Sequence, residues 1–320
     1  MNKKQETGNR KQSSLRLGTR GSALALVQAN WVKARMEERH PGLAVELVII
    51  KTSGDKLKDV PLAPVGGKGL FIKEIEEALF AGQVDLAVHS LKDMPALVPE
   101  GLMIAAVPPR EDWRDAFISN SYATLAEIPS GGRVGTGSLR RRVQLLHLRP
   151  DLEVVPIRGN VDTRLRKMAE QGLDALILAA AGLSRLGLTH VSRSFLTDKE
   201  MLPAISQGAL GLEVRAADTR ARELIAFLDD PVTHAAVNAE RGFLARLEGG
   251  CVVPVAGLGQ MQDGLLTFEA LIGDLDGRQI IRGSITGSPE EADTLGRALA
   301  ERLLNQGGRE ILAQIYGRPI

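Results

Sequence analysis

Apolar positions along the chain fall into two spacings, short runs of strand length and longer stretches with helical periodicity. Leu15-Arg-Leu-Gly18 predicts a short strand, and the pattern from Ser22 to about Arg39 predicts an amphipathic helix. Val45 to Ile50, Asp85-Leu-Ala-Val-His89 and Leu102 to Val107 read as further strands, with a helical stretch from Lys68 to Gly82 between the first two. This βαβ rhythm predicts a largely parallel or mixed sheet covered by helices. The breakers Pro108-Pro-Arg-Glu-Asp112 interrupt it, and the rhythm then restarts. Arg133-Val-Gly-Thr136 leads into a helix that Ser138 is placed to cap, Glu153 to Ile157 is strand-like, Val161 to Gln171 helical, and Asp174 to Ala179 a buried strand.

The two halves share a local design. Leu17-Gly-Thr-Arg-Gly-Ser22 and Val134-Gly-Thr-Gly-Ser138 each pass from strand through Gly-Thr to a helix-starting serine. Asp85 and Asp174 each stand just before an apolar strand. Two such lobes facing one another form a cleft into which helix N-termini point, and these favour anions. A third region from about Asp230 opens with a helix (Thr233 to Leu247). It continues with hairpin-like strands (Leu265 to Ile272, Arg278 to Thr286) and closes with helices Pro289 to Leu304 and Arg309 to Ile315, an α+β domain.

Composition narrows the function. The 320 residues are 44% hydrophobic and 25% charged, as in an ordinary soluble protein of two or three domains. A net charge of +1 and 3% aromatic residues disfavour nucleic acid as a partner. Met1 to Ser14 are polar and basic and are expected to form a disordered tail without the apolar core of a secretion signal. No run approaches the roughly eighteen apolar residues of a membrane span. A cytoplasmic monomer acting on small molecules, with no nucleic-acid or membrane partner, is the expectation.

Candidate chemistry comes from arginines and one thiol. Arg20 stands at the first strand-to-helix turn, Arg140, Arg141 and Arg142 in the first turn after Ser138, Arg158 at a strand end, Arg164 in the next helix and Arg185 in Gly182-Leu-Ser-Arg-Leu-Gly187. Successive helix positions turn by about 100°, so three adjacent arginines cannot share one pocket. Arg140 and Arg141 are expected to face the cleft, with Arg142 partly solvated. Cations at a helix start oppose its dipole unless an anion lies between them. Guanidinium forks suit carboxylates and phosphates. Asp93 follows a strand end beside Lys92, where open α/β sheets place ligand chemistry; taken alone it also fits a plain turn residue. Cys251, the one cysteine, follows two glycines; alone it fits either a buried small hydrophobe or a covalent anchor. Val65-Gly-Gly-Lys-Gly-Leu-Phe71 lacks the spacing of a P-loop, and the five scattered histidines predict no metal.

Taken in order, eight segments resemble the hydroxymethylbilane synthase (porphobilinogen deaminase) family. They are Thr19-Arg-Gly-Ser-Ala-Leu-Ala-Leu26, Val65 to Phe71, His89-Ser-Leu-Lys-Asp-Met-Pro95, Arg110-Glu-Asp112, Gly135-Thr-Gly-Ser-Leu-Arg-Arg141, Arg158-Gly-Asn160, Ala181 to Gly187 and Leu247-Glu-Gly-Gly-Cys251. The resemblance implies two α/β lobes like those of periplasmic binding proteins around a cleft, plus a small α+β domain carrying the cysteine. The lobes are expected at 15–108 with 204–226 and at 114–203, and the third domain at 230–320, because the family's chain crosses twice. The implied reaction joins four porphobilinogen molecules head to tail with loss of ammonia, then releases the linear tetrapyrrole by hydrolysis. A dipyrromethane cofactor is implied on Cys251 through a thioether. Asp93 takes the catalytic role by the same resemblance. Lys68, Ser90, Lys92, Thr136, Ser138, Arg140, Arg141, Arg158 and Arg164 are implied to hold the cofactor. Arg20, Ser22, Arg158, Arg185 and Gln207 are implied to hold porphobilinogen and the growing polypyrrole. Val252 and Gly137 depart from the family's usual residues. A non-catalytic binder of anions on the same two lobes is the competing reading.

Overall fold

In a computed structural model of the chain, residues 13–56, 72–191, 193–248 and 253–318 are described. Strand β1 (Ser13–Thr19) feeds helix α1 (Ala23–Arg39), and β2 (Leu43–Ile49) follows. A one-turn helix α2 (Ser53–Lys56), helix α3 (Lys73–Phe80) and strands β3 (Leu86–Ser90) and β4 (Leu102–Ala106) come next. The chain then crosses into β5 (Asp115–Ile118), β6 (Arg133–Gly135), α4 (Leu139–Leu148) and β7 (Glu153–Val155). Helix α5 (Val161–Glu170), β8 (Ala175–Ala179), α6 (Ala180–Arg185) and β9 (Ser194–Phe195) complete that part. Strand β10 (Leu210–Arg215) and α7 (Thr219–Ile225) lead to α8 (Pro231–Arg246). Strands β11 (Val255–Gln262), β12 (Leu265–Gly273) and β13 (Ile280–Gly287) precede helices α9 (Ala292–Leu303) and α10 (Arg309–Tyr316).

The fold is mixed α/β. Two five-stranded sheets run β2-β1-β3-β10-β4 and β7-β6-β8-β5-β9, and a third, antiparallel sheet runs β11-β12-β13. The first two are built alike. In each, three neighbouring strands are parallel, and the fourth is antiparallel and arrives from the other side of a crossing, β10 in one and β5 in the other. The repeated aspartate has the same task in both. Asp85 accepts the Arg16 amide at 2.9 Å, and Asp174 accepts the Arg133 amide at 2.7 Å, each bracing the strand beside its own.

Both large sheets are covered on two faces, as parallel strands require. Leu17, Val32 and Leu212 lie in one core of the first sheet, while Ile75, Leu79 and Ala87 lie in another. Phe117 and Ile177 face one core of the second sheet, and Ala116 and Leu176 the other. The third sheet packs Phe268 and Ile272 against Phe243 of α8 and Leu299 of α9. Its opposite face, with Ala256, Leu258 and Leu271, packs against Trp113 and Leu202 of the two crossings. The third unit is therefore seated on the crossings themselves.

Several expectations need correction. Ser13 and Ser14, assigned to the tail, belong to β1, while residues 1–12 lie outside the described set. Strands β5, β10 and β11 were not predicted from the pattern. Ser22 caps α1 by accepting the Ala25 amide at 3.3 Å, but Ser138, at the equivalent position of α4, makes no side-chain capping bond.

Candidate active site

Strand β3 ends at Ser90, and a tight 3-10 turn, Leu91–Asp93, carries the chain past the sheet edge. Leu91 is buried and its amide bonds to the Ala209 carbonyl at 3.1 Å, so the turn is anchored to the return segment. Asp93 is exposed at the tip of this turn, and Lys92 beside it is half-buried. Burial pushes the Lys92 amine down to about 8; Asp93 and Asp115 oppose that shift, while Arg141 and Arg140 reinforce it. Across from the turn stands Arg164 of α5, with its Nε donating to the Gly159 carbonyl at 2.7 Å. Burial pulls Arg164 down to about 10, helped by Arg141 and Arg158 and opposed by Asp93. Lys92, Asp93, Arg141, Arg158 and Arg164 thus act on one another's charge across the two sheets. Desolvated cations that depress one another gain by taking a ligand with several carboxylates.

The remaining polar candidates lie close by. Ser90 exchanges hydrogen bonds with the buried amide of Gln28, with Nε2 donating to Oγ at 2.9 Å. Ser90, Lys92, Gln28, Arg185 and Gly208 line one small pocket between the first and second sheets. Arg185 crosses that gap, with Nη2 donating to the Gly208 carbonyl at 2.7 Å, and burial lowers its pKa. Arg20 is half-buried at the β1–α1 turn and Arg158 half-buried after β7. Thr136 is buried, and its Oγ1 accepts the Ser138 amide at 3.2 Å. A side chain at Gly137 would meet the Ile157 carbonyl at 2.6 Å, so the departure to glycine goes with a close approach of two turns. Lys68 and Cys251, with Val252, lie outside the described residues.

Arg140 and Gln207 both bond to one buried acid, Asp115. Arg140 Nη1 is 2.5 Å from Asp115 Oδ2 and 2.8 Å from the Leu202 carbonyl. Arg141 Nη2 donates to Asp115 Oδ1 at 2.8 Å and its Nη1 to the Ile177 carbonyl at 2.9 Å. Gln207 is 1% exposed, and its Nε2 donates to Asp115 Oδ1 at 2.9 Å and to the Trp113 carbonyl at 2.8 Å. The anion required between two arginines at a helix start is Asp115, supplied by the chain itself. Arg140 and Gln207 therefore belong to a buried hub, and Arg141 connects that hub to the cleft. The two guanidiniums hold the Asp115 carboxyl well below the usual carboxylate range despite its burial.

A second hub adjoins it. Glu240 of α8, fully buried, takes Arg110 Nη1 at 2.6 Å, the Gly259 amide at 2.8 Å and the Ser206 amide. Arg110 Nε also donates to the Gln207 carbonyl at 2.8 Å, which joins the hubs. Ser206 has φ +59°, a conformation few non-glycine residues adopt. Gly208 has φ +89°, and a Cβ there would lie 2.4 Å from the Glu111 carbonyl, so the two crossings touch where no side chain fits. Sequence reasoning missed Asp115 and Glu240. Asp115-Ala-Phe-Ile118 does repeat the aspartate-then-apolar pattern of Asp85 and Asp174, which was the available signal.

A family model described as porphobilinogen deaminase, dipyromethane cofactor binding domain, matches residues 15–223, and one described as porphobilinogen deaminase, C-terminal domain, matches residues 234–305. The porphobilinogen deaminase of Geobacter sulfurreducens is 56% identical over 306 residues, covering 96% of each chain. That of Syntrophobacter fumaroxidans is 54% identical over 302 residues, covering 94% of this chain and 98% of its own. Among solved structures, the methionine binding protein MetQ aligns with a TM-score of 0.43 and 14% identity over 73% of this chain and 94% of that one. With both family models matched and relatives identical at more than half of the aligned positions, the chain belongs to the porphobilinogen deaminase family, transferases of tetrapyrrole biosynthesis with a dipyrromethane cofactor.

Proposed function

We propose that the turn carrying Asp93 and the cations around it are the centre at which four porphobilinogen units are joined head to tail, each losing ammonia, before water releases the linear hydroxymethylbilane. The observation that carries this reading is the cluster itself: Lys92 and Arg164, partly desolvated and acting on each other's neighbours, around one exposed carboxylate. The cluster fits a dipyrromethane, because each of its rings bears an acetate and a propionate. When bound through a thioether to Cys251, that group supplies the pyrrole α-carbon to which substrate is joined. Lys92, Arg141, Arg158 and Arg164 hold its carboxylates by charge-assisted hydrogen bonds. Ser90, Thr136 and Ser138 give the shorter contacts, and Arg20, Ser22 and Arg185 receive the incoming porphobilinogen. Lys68 and Cys251 take their places in this scheme from the family resemblance.

Asp93 has the chemical role. Losing ammonia from porphobilinogen leaves positive charge spread toward a pyrrole nitrogen, and a carboxylate beside that N–H stabilises the charge and can move the proton. The lobes 15–108 with 204–226 and 114–203, the third domain 230–320, a cytoplasmic location and a monomeric state are part of the same proposal.

Intact mass tests it. Chain purified from cells that make porphobilinogen is expected to carry the added mass of two pyrrole units, absent from Cys251→Ser. An unmodified wild-type chain that binds porphobilinogen without turnover would leave only an anion carrier.

A further inference from the structure

Helix α8 presents two neighbouring charged residues to two different parts of the molecule. Glu240 holds the crossings, as described above. Arg241 reaches the loop that leaves the Asp93 turn, and its Nη2 donates to the Pro95 carbonyl at 2.9 Å and to the Ala96 carbonyl at 2.9 Å. These are the second and third residues after Asp93.

The turn depends on such outside support. On its N-terminal side, β3 is paired with β1 and β10. On its C-terminal side Met94 is buried against Val237 of α8, and Ala96 packs against the core of the third unit. Pro95 has no amide to donate, so this stretch cannot continue a strand ladder. Asp93 is exposed and sits between these two attachments. Arg241 is itself half-buried, and burial lowers its pKa while the carboxylate of Glu213 opposes that shift. Glu213 of β10 is fully buried and bonded at 2.9 Å to His89 of β3, the strand that leads into the turn. One guanidinium nitrogen bridging two consecutive carbonyls fixes the direction of the loop.

We propose that Arg241 is a positioning residue for Asp93: by gripping the Pro95 and Ala96 carbonyls it sets the angle at which the Leu91–Asp93 turn presents its carboxylate, and so makes the third unit part of the catalytic apparatus. This rests on the reading of Asp93 as the catalytic carboxylate. A carboxylate displaced by about 1 Å can lower turnover by about a hundredfold without weakening substrate binding to match.

The test uses the cofactor-loaded enzyme, with loading checked by intact mass. Arg241→Gln is expected to lower kcat by roughly 10- to 100-fold with KM within about twofold. Amide hydrogen exchange is expected to quicken in the peptide spanning residues 91–98, and Arg241→Lys should recover part of both losses. In an Asp93→Asn background, Arg241→Gln should cost little further turnover, because the group it aims is already gone. Arg297→Ala, which removes a partner of Asp293 on α9, should leave kcat unchanged. If Arg241→Gln folds poorly, Arg241→Lys with the exchange measurement carries the test alone. Unchanged kcat, or exchange slowed nowhere and quickened everywhere, overturns the positioning role while leaving Asp93 in place. Near-normal turnover in Asp93→Asn alone removes the reading of Asp93, and the proposal falls with it.

Discussion

Cationic side chains in this molecule occupy two settings. At the crossings, Arg110, Arg140 and Arg141 are at most 7% exposed in their side chains and meet the fully buried acids Glu240 and Asp115 at 2.5–2.8 Å. In the cleft, Lys92 and Arg164 are half-buried and are pushed down by burial and by neighbouring guanidiniums, with Asp93 exposed among them. In the first setting the chain itself supplies the anions, Glu240 and Asp115. In the second, on the function proposed above, a ligand supplies the anion. The two settings thus differ in whether the chain itself supplies an anion beside the cations.

The sharpest way to break this comparison is at Asp115. Removing its charge leaves two buried guanidiniums uncompensated, which typically costs about 3–5 kcal/mol. Asp115→Asn is therefore expected to show a large fall in urea midpoint, with activity lost in proportion to folding. A small stability loss accompanied by a large rise in KM would instead place Asp115 and Arg140 at the ligand, beside Arg141.

The cleft should answer in the opposite way. Arg164→Gln removes one of several mutually repelling cations, so stability should hold or rise slightly. A charge-assisted hydrogen bond is worth about 1.5–3 kcal/mol, so elongation should fall by roughly 10- to 100-fold. Steady-state kinetics with a thermal melt on the same sample separates the two quantities. A stability loss matching that of Asp115→Asn would erase the distinction between the settings.

Much of the fold was legible where an element had length and a clean period. The helix starting after Ser22, the β3 strand and the β12–β13 hairpin all announce themselves in the spacing of apolar residues. The pattern failed at β5 and β10 for identifiable reasons. Strand β5 has four residues, too few for a period, and opens on an acid that would be read as surface. Strand β10 carries Glu213, fully buried on a bond to His89, so an inside position looks like an outside one. The site divides similarly. Asp93 and Lys92 stand at a strand end, a place where chemistry can be anticipated, and the family segments covered Arg158. The hub was not legible because Asp115 lies 25 and 92 residues in sequence from its partners Arg140 and Gln207. No local rule joins three such distant positions; only the crossing of the chain does.

The smallest expected effect concerns Lys92, and it sharpens the comparison through pH. In cofactor-free protein the folded chain holds this amine at about 8, against an ordinary value of 10.5. Below about pH 8 both folded and unfolded states keep the proton, and the folded state bears the full cost of a desolvated cation. Between about pH 8 and 10.5 the folded chain has released a proton that the unfolded chain still binds, so this group makes stability rise with pH across that window. Urea midpoints of wild type compared with Lys92→Met should therefore converge as pH increases from 7.5 to 9.5, with Lys92→Met the more stable at the lower end. Loading the cofactor should flatten the difference, because carboxylates placed beside the amine restore its affinity for the proton. Parallel curves for the two proteins without cofactor would mean that Lys92 is compensated within the chain, as the hub arginines are, and that the cleft needs no ligand to complete it.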